Sequence, residues 1–456
     1  MNKEYLKVKN FNIYTLLFSI YALWGCSADG DGVTDIAEGD YIRFGAQVVE
    51  PVTRAAQQPG IIDFEKLTTT SFGVYGYGPM AADYTGGLVP DMFDNQKVEY
   101  VVSDKSTSTV LAVPGSWSYA WNAGRTTEDV SRLKSWPKST DAAQKLHFFA
   151  YAPYVGSGDL ATGTDPGITS VSGMAADDPT IGYSVASAPS ASVDLLWGVH
   201  SETGFPWLNV TRANKTTSAV LFTMRHALCA IGYHAQVIVN ENNELTDLTD
   251  ESSYGTIIGT DCRVTLKSIT LAPKSGGANF YASGTLNLNN TEKNTPLWTL
   301  ADGDRTVTQL KLTEIDAKLM DPAPADNEAV KSFMTTTTVP GITESANSQT
   351  VITGDNVYML IPDGEQDYTA TVEYYVTYKT GTDSYNRTQY TGTANIEKLT
   401  LKPGTKYYLN LVFGLTTFKL VVTAQDWDEK AVSTTIVVED GTSASSSLSR
   451  RSSGAE

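Results

Sequence analysis

Three cysteines and four histidines are all the thiol and imidazole chemistry in 456 residues, and their positions limit what the chain can do. His226, Cys229 and His234 are close enough in sequence to suggest a loose metal cluster. An alternating strand would split them between two faces unless a turn intervenes, so structural roles are the better reading. Carboxylate pairs such as Asp177-Asp178 fall in a loop-like stretch with no apolar pocket to raise a pKa. Gly182-Tyr183-Ser184-Val185-Ala186 lacks the second glycine of a nucleophile elbow and its strand-to-helix context. A phosphate-binding glycine loop with Lys-Ser or Lys-Thr is missing, as is a His-Glu-x-x-His pair. The sequence therefore points to no catalytic residue, no metal and no cofactor, and to a protein that is not an enzyme. Aromatic side chains are plentiful (Trp117, Tyr119, Trp121, Trp136, Trp197, Trp427) and could stack on sugars, but core packing is the default for them.

The third cysteine, Cys26, has a different setting. Lys3, Lys7 and Lys9 form a positive start, and a mostly apolar run from Phe11 to Trp24 follows. That run is short for a bilayer-spanning helix of about 20 residues and reads as a secretory signal peptide, residues 1–25. Leu23-Trp24-Gly25-Cys26 resembles the lipobox of bacterial lipoproteins, in which the cysteine thiol is acylated and becomes the new N-terminus. Trp24 departs from the small residue usual there, and an ordinary signal peptide with a chance cysteine is the bland alternative. A lipid anchor is physically sufficient: each buried methylene contributes about 0.8 kcal/mol, and two chains hold where one does not. The segment after it, Ser27-Ala28-Asp29-Gly30-Asp31-Gly32, cannot bury a core and reads as an acidic tether over residues 26–40. Ser27, Asp29, Asp31, Gly32, Asp35 and Glu38 approach the spacing of a calcium-binding EF-hand loop, but Ser stands at the first position and flanking helices are absent.

Composition narrows the partners. A formal net charge of −18 excludes nucleic acid, whose phosphates need a basic surface. It also disfavours docking on anionic lipid heads. With Cys26 assigned to lipid, Cys229 and Cys262 remain, either as free thiols or as a bridge in an oxidising compartment. Spacing alone does not decide between them.

The elements that must position these residues are strands. Thr, Val, Ser and Tyr dominate, and turns of Gly, Pro, Asn and Asp recur. From Tyr41 to Val49, Ile42, Phe44, Ala46 and Val48 alternate with more polar neighbours, the pattern of a half-buried strand. Phe72 to Tyr77 and Leu146 to Pro153 read as buried strands. Ala219 to Val239 predicts two strands with a turn or bulge near Ala230. Ala370 to Tyr378, Leu401 to Val422 and finally Thr434 to Val438 predict further strands. Residues from about Gly156 to Pro189 and from Met320 to Thr350 read as extended loops. The result is an all-β fold of two tandem sandwiches, residues 41–208 and 209–440, with a boundary near Thr203 to Asn214. From Gly441 the Ser-rich tail, 441–456, reads as disordered.

In order along the chain, several motifs together resemble the fimbrillins, type V pilus subunits of Bacteroidales-type bacteria. They are the lipoprotein signal, the strand at Tyr41 to Val49 leading into Thr53-Arg54-Ala55, Phe72-Gly73-Val74-Tyr75 and Lys97-Val98-Glu99-Tyr100. Trp117-Ser118-Tyr119, Leu146 to Pro153 and Asp194-Leu195-Leu196-Trp197 follow. Phe222 to Leu228, Leu401-Lys402-Pro403-Gly404-Thr405-Lys406-Tyr407-Tyr408 and Val422 to Trp427 complete the series.

That resemblance implies two transthyretin-like sandwiches, a palmitate-type anchor on Cys26 in the outer membrane, and an Arg-specific protease that cuts between Arg54 and Ala55. Arg43 is set aside as a cut site because it lies inside the strand. Loss of that strand, with Ile42, Phe44, Ala46 and Val48 facing the core, would open a groove for a strand from another fimbrial subunit, in a homo- or hetero-polymer. Thr434, Ile436 and Val438 are the nearest candidate donor residues. The implied role is a subunit of a cell-surface fimbria that supports adhesion. Two alternatives stand beside it: an uncleaved pilus anchor, and a non-polymerising surface lipoprotein that binds host glycans or proteins.

Overall fold

In the computed structural model, the described residues are 41–48, 60–80, 92–101, 116–122, 128–137, 145–174, 178–212, 219–237, 262–314, 342–344, 351–354, 357–379, 385–413, 418–426, 434–437 and 442–451. They fold almost entirely as strands. The first half supplies β1 (Phe44–Val48), the helix α1 (Phe64–Thr70), β2 (Phe72–Met80), β3 (Phe93–Val101), β4 (Ser116–Ser118) and β5 (Lys145–Ala152). It continues with β6 (Gly167–Ser172), β7 (Thr180–Ser184), β8 (Leu196–Val199), β9 (Trp207–Val210) and β10 (Val220–His226). The second half begins with β11 (Cys229–Val237), β12 (Cys262–Pro273), β13 (Ser283–Glu292), β14 (Thr295–Thr299), β15 (Leu310–Glu314), β16 (Ile342–Glu344) and β17 (Val351–Gly354). It ends with β18 (Tyr358–Leu360), β19 (Asp363–Lys379), β20 (Tyr385–Leu401), β21 (Thr405–Phe413), β22 (Phe418–Asp426), β23 (Thr434–Val437) and β24 (Thr442–Arg451). Among the described residues no helix is long and apolar enough to cross a membrane.

The strands form four sheets. An eight-stranded sheet runs β1-β10-β8-β5-β2-β3-β4, with β9 also on β5. Its central strands β2, β5 and β8 are buried on both faces, which explains the nearly continuous apolar runs at Phe72 to Tyr77 and Leu146 to Pro153. Phe72, Val74, Phe148, Ala150 and Phe222 enter one core cluster with Phe44. Tyr75, Tyr77, Phe149, Tyr151 and Trp197 point the other way, into a larger cluster that continues through the second half to Leu409, Leu420 and Val422. The second half adds a seven-stranded sheet, β16-β17-β11-β21-β22-β23, and a five-stranded one, β15-β12-β19-β20-β24.

Three local expectations change. The presumed loop at Gly156 to Pro189 contains β6 and β7, which join β13 and β14 in a four-stranded sheet built from both halves. The few apolar residues among its Gly and Ser, Ile168, Ile181 and Tyr183, are buried in the larger core cluster. The break in the 219–239 stretch falls at Ala227-Leu228 and not at Ala230, which lies inside β11. There the chain leaves the eight-stranded sheet for the seven-stranded one. Leu195 O accepts from Ala227 N at 2.9 Å, and Leu228 O from Gly404 N at 2.8 Å. The tail expected to be disordered from Gly441 forms β24, antiparallel to β20 from Thr393↔Thr442 to Tyr385↔Arg451. Ser and Thr are compatible with an edge strand, whose backbone groups pair along one side. Most of the 320–350 loop, apart from β16, and Val438 lie outside the described residues.

Candidate functional site: the first strand and its groove

β1 ends the eight-stranded sheet and pairs parallel with β10, from Phe44↔Val220 to Val48↔Met224. A parallel pair cannot be closed by a tight turn, and here the whole first half of the chain separates the partners. The strand is thus an insertion into a frame built by residues far away in sequence.

Its inward side chains follow the alternation read from the sequence. Ile42 is 0 % exposed, Phe44 2 % and Ala46 4 %, and Val48 packs partly buried beside them. The Phe44 ring lies 5.0 Å from Phe93, 5.4 Å from Phe148, 5.8 Å from Tyr119 and 6.1 Å from Phe222, centroid to centroid. Such contacts add to the burial of a large ring, worth about 2–3 kcal/mol from area alone. On the outward side, a Cβ at Gly45 would stand 3.2 Å from Leu221 Cδ1 and 3.9 Å from Trp117 Cδ1. Trp117 is the middle of an aromatic ladder, 5.0 Å from Phe72 and 4.9 Å from Tyr100. Tyr100 in turn lies 6.0 Å from Phe64 on α1.

Side chains also hold the start of the strand. Tyr41 O accepts from Trp136 Nε1 and Ile42 O from Tyr119 OH, each at 3.0 Å. Ile42 N donates to Lys134 O at 2.8 Å, and Val220 N donates to Arg43 O at 2.8 Å. Burial pushes the Tyr119 phenol up to about 12, offset in part by its bond to Lys134 N. It therefore stays a donor at any ordinary pH. Arg43 Nη1 reaches both Glu128 oxygens at 2.8 and 2.6 Å, and Ser118 Oγ bonds the same carboxylate.

The chain re-enters the described region at Gly60, already anchored. Asp194, 0 % exposed, donates its N–H to Gly60 O at 3.2 Å and accepts Ile62 N on Oδ2 at 2.9 Å. It also accepts Leu195 N on Oδ1 and meets His226 Nδ1, both at 2.9 Å. Asp63 then caps α1 by accepting from Lys66 N at 2.7 Å. Gly60 and Ile62 are thus tied to Asp194, just before β8, by bonds that do not involve β1.

Cys26, Arg54 and Ala55 lie outside the described residues. The candidate donor residues Thr434 and Ile436 lie in β23, which pairs antiparallel with β22 at the edge of the seven-stranded sheet. The other candidates from the sequence are not brought together. His226 binds Asp194, and His234 stacks on Tyr408 at 4.5 Å while meeting Asn410 Oδ1 at 3.0 Å. Burial lowers the His234 pKa. Cys229 is a buried free thiol, pushed up by burial, and faces Leu360 O at 3.5 Å. Ser184 ends a strand, not an elbow. Trp136, Trp197, Tyr119 and Trp121 are core residues at 3 %, 0 %, 6 % and 6 % exposure, which removes them as sugar platforms.

Sequence reading missed Asp194, Glu128, Tyr119, Trp136 and Gly45 as parts of the frame. Only Asp194 carried a signal, a carboxylate directly before the fully buried Leu195-Leu196-Trp197.

Comparison with known proteins adds one firm point. No family model matches the sequence, and no curated protein matches it. The structure is similar to that of a fimbrial protein from Bacteroides vulgatus, with a TM-score of 0.56 and 19% identity, covering 85% of this chain and 99% of that one. Candidate cell adhesion proteins from Bacteroides uniformis and Bacteroides ovatus align at 12% and 11% identity over 85% and 88% of this chain and 99% and 97% of theirs. Their TM-scores of 0.36 and 0.34 carry no argument. At 19% identity the likeness to the first establishes a shared fold.

Proposed function

We propose that the chain is a subunit of a cell-surface fimbria, exported as a lipoprotein on Cys26 and assembled by strand exchange after a cut between Arg54 and Ala55. The observation that carries the reading is the construction of β1. It is an end strand whose inward Ile42, Phe44 and Ala46 are buried, in a frame that stands on other residues, and its covalent link to that frame runs through residues 49–59. Cutting there converts a covalent element into a bound peptide. The groove it leaves keeps unpaired backbone groups along β10 and an apolar floor, which a strand from a neighbouring subunit can satisfy by β-augmentation. In this reading the lipid is a temporary tether to the outer membrane. The division into an accepting domain, 41–208 with β10 added, and a donating domain ending at residue 440 belongs to the same proposal, as does a role in adhesion.

The fold shared with a fimbrial protein supports this reading. The alternative of an uncleaved anchor is favoured by the C-terminus, since β23 and β24 both pair with their own chain. The test is an Arg54→Ala variant in a host that makes fimbriae and an Arg-specific protease. Assembly predicts wild-type chains in polymers and Arg54→Ala chains held at the membrane as lipidated monomers. Equal polymer content in the two strains would refute the processing step.

A further inference from the structure

We infer that the chain carries a second processing site, the bond between Arg212 and Ala213, which an arginine-specific protease cuts when the end of β9 frays. The inference rests on the processing reading above and adds a site to it.

Two independent observations meet at Arg212. The first is in the sequence. Val52-Thr53-Arg54-Ala55 recurs as Val210-Thr211-Arg212-Ala213, and no other arginine of the chain stands in that tetrapeptide. A protease that reads the residues beside its arginine meets the same ones at both places. The second is in the fold. β9 ends at Val210 and β10 begins at Val220, so Arg212 lies in the connection between strands, and its side chain is exposed. Exposed connections are where chains are nicked. Other arginines are held more closely. Arg43 and Arg305 are half-buried and paired with Glu128 and Asp363, and Arg225 is half-buried inside β10. Arg132 is exposed but ends the three-residue 3-10 helix Val130–Arg132, with Nη1 donating to Trp121 O at 2.8 Å.

The fold also sets a gate. Val210 is 2 % exposed and pairs with Leu146 on β5. A protease that grips the residues before Arg212 must first lift Val210 from that pair, so the cutting rate follows the population of the frayed strand end. Hydrolysis adds one water across the peptide bond and leaves a carboxylate on Arg212 and an amine on Ala213. The two pieces stay together. The β8–β10 ladder from Thr223↔Val199 to His226↔Leu196 joins them, as do the β7–β13 ladder and the bond from Trp207 Nε1 to Leu221 O at 3.0 Å. What changes is the floor of the groove. Val220, the first residue of β10, pairs with Phe44 beside the cage of rings around that side chain. After the cut, β10 is continuous only with β11, and its Val220 end can adjust to a replacing strand without moving β9.

The test takes the full chain from the surface of a host that makes fimbriae and an Arg-specific protease. Wild type should give two N-terminal sequences, starting at Ala55 and Ala213, from pieces that co-purify natively and separate in denaturant. Arg212→Lys should lose the Ala213 start and keep the Ala55 start. Leu146→Val weakens the gate without touching the cleaved residues. In a time course of purified precursor with an arginine-specific endoprotease, it should speed the Ala213 cut roughly 5-fold and leave the Ala55 cut unchanged. Surface chains that start at Ala55 and run unbroken through residue 213 overturn the inference. So does an Ala213 start that appears only together with cuts after Arg225 and Arg305, which marks unfolded chain, or an unchanged rate in Leu146→Val. An Ala213 start without an Ala55 start upholds the second site while refuting the cut after Arg54.

Discussion

β1 and β23 are both end strands, yet they are held in opposite ways. β1 pairs in parallel with β10 and drives Ile42, Phe44 and Ala46 into a closed core, with its carbonyls taken by Trp136 and Tyr119. β23 is a four-residue antiparallel cover on β22, in a stretch of sequence that has no aromatic residue. One is a plug, the other a lid on a sheet edge. Position at an edge is shared by both, so it does not decide which strand matters. What decides is whether the strand fills volume that no other part of the chain can fill.

The largest effect expected from this difference lies at the cage. Phe44→Ala should lower unfolding free energy by about 3–5 kcal/mol, as for other buried Phe truncations. Removal of residues 434–456 should cost less than that in the same urea titration. If trimming the C-terminus proves the more damaging change, the contrast between plug and lid fails. Asp194→Ala comes next, at about 3 kcal/mol, because Ile62 N and Leu195 N lose their buried acceptor and His226 its partner. Hydrogen exchange should then speed up at residues 60–63 more than along β23.

Tyr119 sharpens the comparison through pH. Its folded pKa is raised from 10.0 to about 12, chiefly by burial. The protonated phenol is favoured by the fold, so its contribution is complete below pH 10 and is lost as pH rises towards 12. Tyr119→Phe should cost about 1 kcal/mol near neutrality. It should also remove part of the alkaline loss of stability between pH 10 and 12, seen as a difference between the two melting profiles. The smallest effect is expected at Arg43, whose ion pair with Glu128 is part-exposed at 28 % and 19 %. Arg43→Ala should cost about 1 kcal/mol or less and weaken with salt.

The same contrast explains what the sequence reveals. The inner face of β1 is legible because Ile42, Phe44, Ala46 and Val48 alternate over a half-buried strand. The buried runs at Phe72 and Leu146 are legible because both sheet faces are covered. β6, β7 and β24 are not legible. Their Gly, Ser and Thr residues look like loop, and in β6 and β7 the apolar residues that reach the core, Ile168, Ile181 and Tyr183, are too few to mark a hydrophobic period. The frame around β1 is hidden for another reason. Asp194 meets Ile62 across 132 residues and His226 across 32, and Arg43 meets Glu128 across 85. No local pattern encodes partners at such separations. Gly45 looks like any strand glycine until Leu221 and Trp117 are placed over it.

The most direct test of the central claim is the N-terminal sequence of the chain isolated from surface fibres. Removal of the plug predicts a start at Ala55, with residues 41–48 absent from the assembled subunit. A lipid-blocked Cys26 or any start before Ile42 in that material would mean that β1 stays in its groove, and would contradict assembly by strand replacement.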